Sequence, residues 1–218
     1  MDPSEVPEVV AQRLPLYVRV LTQLLSEESR MVSSHQLGNR LQVTPAQIRK
    51  DLSYFGKFGK QGKGYDIHSL LQELRGILGL ERKWTTCLVG VGRLGKAIIN
   101  YPGFAPEGFT IVAVFDRDIK RVGNAIGNLK VQPMSELGQA VEDQGIDIGI
   151  VAVPAAKAQT VINTLIENGI RGILNYAPIA PSVPKDIVMR NIDPVLSLQS
   201  MTFYLQKQYR THPQEIIP

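Results

Sequence analysis

The run Gly90-Val91-Gly92-Arg93-Leu94-Gly95 constrains this chain more than any other feature, because of what flanks it. A strand reads from Thr85 to Val89 directly before it, and Ala97, Ile98 and Ile99 continue into a helix after it. A GxGxxG run alone is weak, but between a strand and a helix it marks the turn of a dinucleotide-binding βαβ unit. Gly90 permits the tight turn, Gly92 lets a pyrophosphate approach the backbone, and Gly95 allows close packing of helix on strand. Free N–H groups at the helix start then face the phosphates. A second strand, Thr110 to Phe115, ends at Asp116, 21 residues beyond Gly95. A carboxylate there accepts hydrogen bonds from the adenosine ribose hydroxyls and repels a 2′-phosphate, which favours NAD(H) over NADP(H). Arg117 argues the other way, since a neighbouring arginine can host that phosphate. Taken alone, Asp116 also reads as a strand-ending residue that caps a turn.

Strands and helices go on alternating. A helix is expected from Ser135 to Gln144, a strand from Asp147 to Val153 ending at Pro154, and a helix from Ala155 to Asn168. Strands at Gly172 to Asn175 and Ile187 to Ile192 complete a doubly wound, mostly parallel α/β sheet of Rossmann type. Val153, Pro154 and the Asn175-Tyr176-Ala177-Pro178 stretch fall at carboxyl ends of strands, where such sheets bind ligands. The last stretch also reads as an ordinary loop.

Before residue 84 the texture is helical. Pro15 suits the first turn of a helix continued by Val18, Leu21 and Leu25, and Ser33 and Ser34 signal a second, short helix. Thr44-Pro45-Ala46-Gln47 reads as a capping box opening a third. In that helix Ile48, Leu52 and Phe55 form a buried stripe, while Gln47, Arg49, Lys50, Ser53 and Tyr54 occupy the remaining face. Arg and Gln can bond bidentately to base edges, and Lys, Ser and Tyr can hold phosphates. Two short helices joined by a tight turn make a helix-turn-helix. The Gly56-to-Tyr65 stretch interleaves glycine with Lys57, Lys60 and Lys63 and reads as the basic hairpin, or wing, of a winged helix. A last helix, about Ile67 to Leu78, closes this domain.

Charge agrees with that reading. From Arg30 to Lys63 there are seven basic residues against one acid, Asp51, while the whole chain carries only +4. A compact basic patch on a near-neutral body suits a polyanion docking at one end, although charge clusters are more often solvated faces. The domain expectation is 1–83 for the winged helix and 84–193 for the Rossmann domain, with 194–218 beyond them.

Other classes find little support. No apolar run approaches the roughly 18 residues of a membrane span. A single cysteine, Cys87, allows no intrachain disulfide and suits a reducing cytoplasm, which is the expected location. His35, His68 and His212 all lie outside the nucleotide-binding region, and no metal-ligand spacing occurs. A dehydrogenase needs a placed proton donor, and none is marked. Three rivals stay open: a small oxidoreductase, a regulator holding a CoA derivative or adenosyl compound, and an RNA-binding role for the basic wing.

Five stretches together resemble the Rex family of redox-sensing transcriptional repressors over essentially the whole chain. They are Arg49-Lys50-Asp51-Leu52-Ser53-Tyr54-Phe55-Gly56, Gly62-Lys63-Gly64-Tyr65, Gly90-Val91-Gly92-Arg93-Leu94-Gly95, Tyr101-Pro102-Gly103-Phe104 and Gly172-Ile173-Leu174-Asn175. The resemblance implies a homodimer that binds palindromic operator DNA when NAD+ prevails and releases it when NADH accumulates. It implies a C-terminal helix, about Val195 to Gln208, swapped between subunits. It also implies Arg19, Tyr101 near the nicotinamide and Asp193 as switch residues. By themselves Arg19 reads as an exposed helix charge and Asp193 as an N-cap.

Overall fold

The structure is a computed structural model, and it describes residues 6–59 and 63–211, with side chains through residue 206. The chain divides into two compact units, Met1–Arg82 and Lys83–Pro218.

The N-terminal unit contains α1 (Glu8–Ser26), β1 (Met31–Val32), α2 (Ser34–Leu41), α3 (Pro45–Ser53), β2 (Tyr65–Asp66) and α4 (Ile67–Ile77). α1 begins seven residues before Pro15, so that proline lies inside the helix and not in its first turn. An interior proline costs about 3 kcal/mol. Burial of Val10, Leu14, Tyr17, Val18, Leu21 and Leu24 along one stripe offsets that cost and carries the helix through. The reciprocal capping box sits on α2: Gln36 N–H donates to Ser33 Oγ at 3.1 Å and Ser33 N–H to Gln36 Oε1 at 2.8 Å. α3 has half of one. Thr44 Oγ1 accepts from Gln47 N–H at 3.2 Å, but the Gln47 side chain turns to Asp51 instead of back to Thr44. Leu14, Leu21, Leu37, Ile48, Leu52, Ile67 and Leu74 close one core among the four helices.

The wing differs from a local hairpin. Among the described residues of 56–64 no strand extends as an element; β2 instead pairs antiparallel with β1, Met31 opposite Asp66 and Val32 opposite Tyr65. The two helices α2 and α3 are therefore bracketed in sequence by the strands of this ladder.

The C-terminal unit runs β3 (Trp84–Val89), α5 (Arg93–Ile99), β4 (Phe109–Asp116), β5 (Ala125–Ile126), β6 (Leu129–Pro133), α6 (Leu137–Gln144), β7 (Ile148–Val151), α7 (Ala155–Glu167), β8 (Gly172–Asn175), β9 (Val188–Asn191) and α8 (Pro194–Thr211). Strand order is β5-β6-β4-β3-β7-β8-β9, all parallel except β5. The chain winds outward from β3 through β4 to β6, then crosses back to β7, so its direction reverses between β3 and β7. Strand alternation feeds a core on each face. Cys87, Val89 and Phe115 join Leu137, Ile162 and Leu165 on one, and Leu88 and Val114 join Ile98 and Val131 on the other. The expected helix at Ser135 opens as a 3-10 turn over Met134–Glu136, and β7 stops at Val151, short of Val153. No helix among the described residues is long and apolar enough to cross a membrane.

Candidate functional site

At the carboxyl ends of β3 and β7, where winding reverses, the C-terminal unit opens a cavity of about 770 Å³. Gly90, Gly92, Arg93, Leu94, Asp116, Val153 and Pro154 line it, together with Arg117, Arg121, Lys157, Tyr176 and Pro178. The glycines differ in what they do. Gly90 has φ +101° and its backbone lies against the Ala152 carbonyl, so only glycine fits the turn. A side chain on Gly95 would collide with the Gly90 carbonyl oxygen, which is how helix and strand pack so closely. Nothing lies within 4 Å of the position a Cβ would take at Gly92, so the backbone there stands open to a ligand. This open cradle beside the first turn of α5 fits a pyrophosphate. Val91 points the other way, into the core, and contributes its backbone.

Asp116 is only 6% exposed and heavily engaged. Oδ2 accepts from Val91 N–H at 2.8 Å and from Arg121 Nη1 at 2.9 Å, and Oδ1 accepts from Asp118 N–H at 2.9 Å. Burial opposes its charge, but the Asp118 and Val91 N–H groups and the Arg121 guanidinium outweigh burial and hold the carboxyl below its ordinary value. The carboxylate thus pins the glycine turn to the end of β4 and keeps acceptor capacity on Oδ1 for a ribose hydroxyl. The arginine that meets it is Arg121, not the adjacent Arg117. No spacing rule points to Arg121, because a turn of the chain after Asp118 brings it back.

Tyr101 does not line this cavity. It is 59% exposed, just beyond α5, with its ring edge-on to Phe104 at 5.2 Å and folded over Gly103. Its phenol does reach the field of Tyr176, whose own hydroxyl is pushed up first by burial and then by Tyr101. Tyr176 is presented by a loop that Asn175 braces: its buried amide donates to Ala177 O and Asn191 Oδ1 and accepts from Ala177 N–H. Asp193 Oδ1 accepts from Val195 N–H at 2.9 Å and so caps α8, with Pro194 at the first helical position. Arg19 belongs to the N-terminal unit, exposed on α1.

In the N-terminal unit, Thr44, Arg49, Lys50 and Ser53 are exposed along α3, Tyr54 is half-buried at its end, and Lys57 and Lys63 are exposed beyond it. Lys60 lies outside the described residues. Arg49 donates to Ser34 Oγ on α2 at 3.0 Å and Ser53 to the Lys50 carbonyl on its own helix at 2.7 Å. Arg40 is spent on Glu27, at 2.6 Å. Gln47 is half-buried, with Nε2 turned to Asp51 Oδ1 at 2.6 Å. Periodicity shows no reason for the sole acid of the patch to be buried, so its partnership with α1 escapes a reading of α3 alone.

Cys87 is buried, and burial pushes its thiol up to about 12, so it holds no thiolate at neutral pH. No group of His, Cys, Asp and Glu able to hold a metal occurs among the described residues.

The chain matches two family models: one described as a putative DNA-binding protein N-terminus over residues 5–53, the other as a CoA binding domain over residues 81–179. It is 52% identical to the redox-sensing transcriptional repressor Rex of Chloroflexus aurantiacus, across 95% of this chain and 99% of that one. With the protein of the same name from a Roseiflexus species it shares 49% across 94% and 93%. Among solved structures it superposes on the repressor RSP in complex with β-NAD+ and operator DNA, with a TM-score of 0.88, 34% identity and coverage of 97% and 99%. The same repressor in complex with β-NADH gives 0.86, 33%, and 96% and 99%.

Proposed function

The chain belongs to the Rex family of redox-sensing transcriptional repressors, and on that premise we propose that it grips operator DNA as a homodimer and lets go when NADH binds. The observation that carries this reading is likeness along nearly the full chain to a repressor crystallised with operator DNA and with each redox form of the cofactor.

NADH and NAD+ differ at the nicotinamide, neutral in the first and positive in the second. The residues that would hold the dinucleotide are Gly90 to Gly95 at the pyrophosphate, Asp116 at the adenosine ribose, and Val153 and Pro154 beside the glycine turn at the end of β7. Pro178 and Tyr176 add apolar surface to the cleft, which favours the uncharged ring. A ligand shifts a conformational equilibrium only by its differential affinity for the two states, so NADH must bind the DNA-released form more tightly than the DNA-bound form. Arg19, Tyr101 and Asp193 are the proposed switch residues, each free to take a new partner: Arg19 and Tyr101 are exposed, and Asp193 has Oδ2 open beyond its capping bond. Val195, Leu196, Leu198, Met201 and Phe203 are exposed along α8, which supports its role as the helix swapped to a partner subunit. Thr44, Gln47, Arg49, Lys50, Ser53, Tyr54, Lys57, Lys60 and Lys63 are the proposed DNA contacts. No catalytic role is assigned to any residue.

Titrating operator duplex with the protein at saturating NADH and at saturating NAD+ tests the whole reading. The expected result is at least about tenfold weaker binding with NADH, a typical allosteric coupling. Equal affinities remove the redox claim. Because one matching family model is described as a CoA binding domain, a parallel titration with CoA separates that ligand; tighter binding of CoA than of NADH would replace the cofactor assignment.

A further inference from the structure

Asp51 is fully buried in the helix expected to enter the groove. Four donors converge on it. Arg13 reaches Oδ2 through Nε at 2.6 Å and Oδ1 through Nη2 at 2.7 Å, Tyr17 OH reaches Oδ2 at 2.5 Å, and Gln47 Nε2 reaches Oδ1 at 2.6 Å. Two of the three partners sit on α1, so the carboxylate fastens α3 to the helix behind it. The third, Gln47, lies one turn away on α3 itself.

That last bond has a chemical consequence. An ionised carboxylate only accepts hydrogen bonds, so the Gln47 group facing it must be the NH2, and the amide oxygen must face away. No described residue donates to that oxygen. Gln47 stands in the first turn of α3, where a recognition helix meets base edges. A free glutamine amide reads adenine with its donor and its acceptor together. This one has one of its two N–H donors committed to Asp51, which stops the amide from turning over and keeps its oxygen as the outward acceptor.

Resting on the operator-binding reading above, we propose that Asp51 is a specificity-determining positioning residue. It holds the Gln47 amide oxygen outward, so that the recognition face demands an exocyclic amino group, N6 of adenine or N4 of cytosine, at the base Gln47 meets. Asp51 itself touches no base. It acts through Gln47, and Arg13 and Tyr17 keep the carboxylate ionised and in place.

The test is selection from a duplex library of random sequence with the full-length protein, comparing wild type, Asp51→Asn, Gln47→Leu and Tyr17→Phe. In Asp51→Asn the oxygen can accept from Arg13 Nε and Tyr17 OH, while the NH2 displaces Arg13 Nη2 and donates to Gln47, which turns the Gln47 amide over. One position per half-site then changes to a base offering an acceptor, such as O6 of guanine or O4 of thymine, while the others stay. Gln47→Leu keeps the Arg13–Asp51–Tyr17 bonds, so it answers the question even if Asp51→Asn does not fold. It loses preference at that same position, by about tenfold. Tyr17→Phe leaves the Gln47 bond intact and keeps the wild-type preference, which a merely structural role for Asp51 would not distinguish from Asp51→Asn. Unchanged preferences in Gln47→Leu, or in a folded Asp51→Asn, overturn this inference alone. A wild-type protein that enriches no sequence overturns the operator reading and this inference with it.

Discussion

Single residues decide where each unit is most sensitive. At Gly95, an alanine forces a methyl group into the Gly90 carbonyl oxygen. Overpacking of that kind costs about 1–3 kcal/mol, so Gly95→Ala should weaken NADH binding about tenfold to a hundredfold in a fluorescence titration. At Asp51, burial works against the charge, but bonds from Arg13, Tyr17 and Gln47 prevail and its carboxyl lies below the ordinary value of 3.8. A carboxyl depressed in this way stabilises the fold above its ordinary value, and the contribution disappears as pH falls through the folded one. Helix content followed by circular dichroism should therefore hold above about pH 4 and decline below it. Arg13→Ala should cost about 2–3 kcal/mol at neutral pH, because Tyr17 and Gln47 still cover part of the stranded carboxylate. It should also move the acid transition upward; a transition at the wild-type pH would remove Asp51 from the account of acid stability.

At the level of elements, what the sequence discloses follows the strength of local pattern. β3, the glycine turn, α5 and β8 are legible because period-two alternation, glycine and a helical stripe coincide within a few residues. α8 is expected only from the family resemblance, not from its spacing. Pro15 misleads because proline marks a helix start by local rules, whereas the apolar stripe from Val10 to Leu24 wins by packing. The β1–β2 ladder is invisible locally, since each strand is two residues long and its partner is remote. The edge hairpin β5–β6 is missed for a related reason: Val131 is its one clearly buried residue in the longer strand. At the cleft, the glycines and Asp116 announce themselves, while Arg121 and Lys157 enter through chain path. The exposed apolar residues of α8 carry an element-level prediction. Deleting 194–218 should lower the mass read by light scattering from twice the single-chain value to once; an unchanged dimer would place the subunit contact elsewhere.

For the whole molecule, the two units separate two physical tasks, polyanion binding and dinucleotide binding. Phosphate contacts make affinity fall with salt in proportion to the number of cations engaged. Lys57→Ala should therefore weaken operator binding without altering base preference and lower the salt slope by about 2, one cation in each half-site of a dimer. NADH should act differently, reducing affinity at every salt concentration by repositioning the paired recognition helices relative to major grooves about 34 Å apart. A loss of the NADH effect at high salt would mean that it works by screening charge and not by geometry. The short ladder between Met31–Val32 and Tyr65–Asp66 has a further consequence, for miniaturisation. It closes a ring of chain around the helix-turn-helix, and closing such a ring is an entropic step that two isolated helices never take. A synthetic peptide spanning 33–55 would therefore remain a coil in water, and the smallest autonomous reader of DNA cut from this protein must run from α1 through α4.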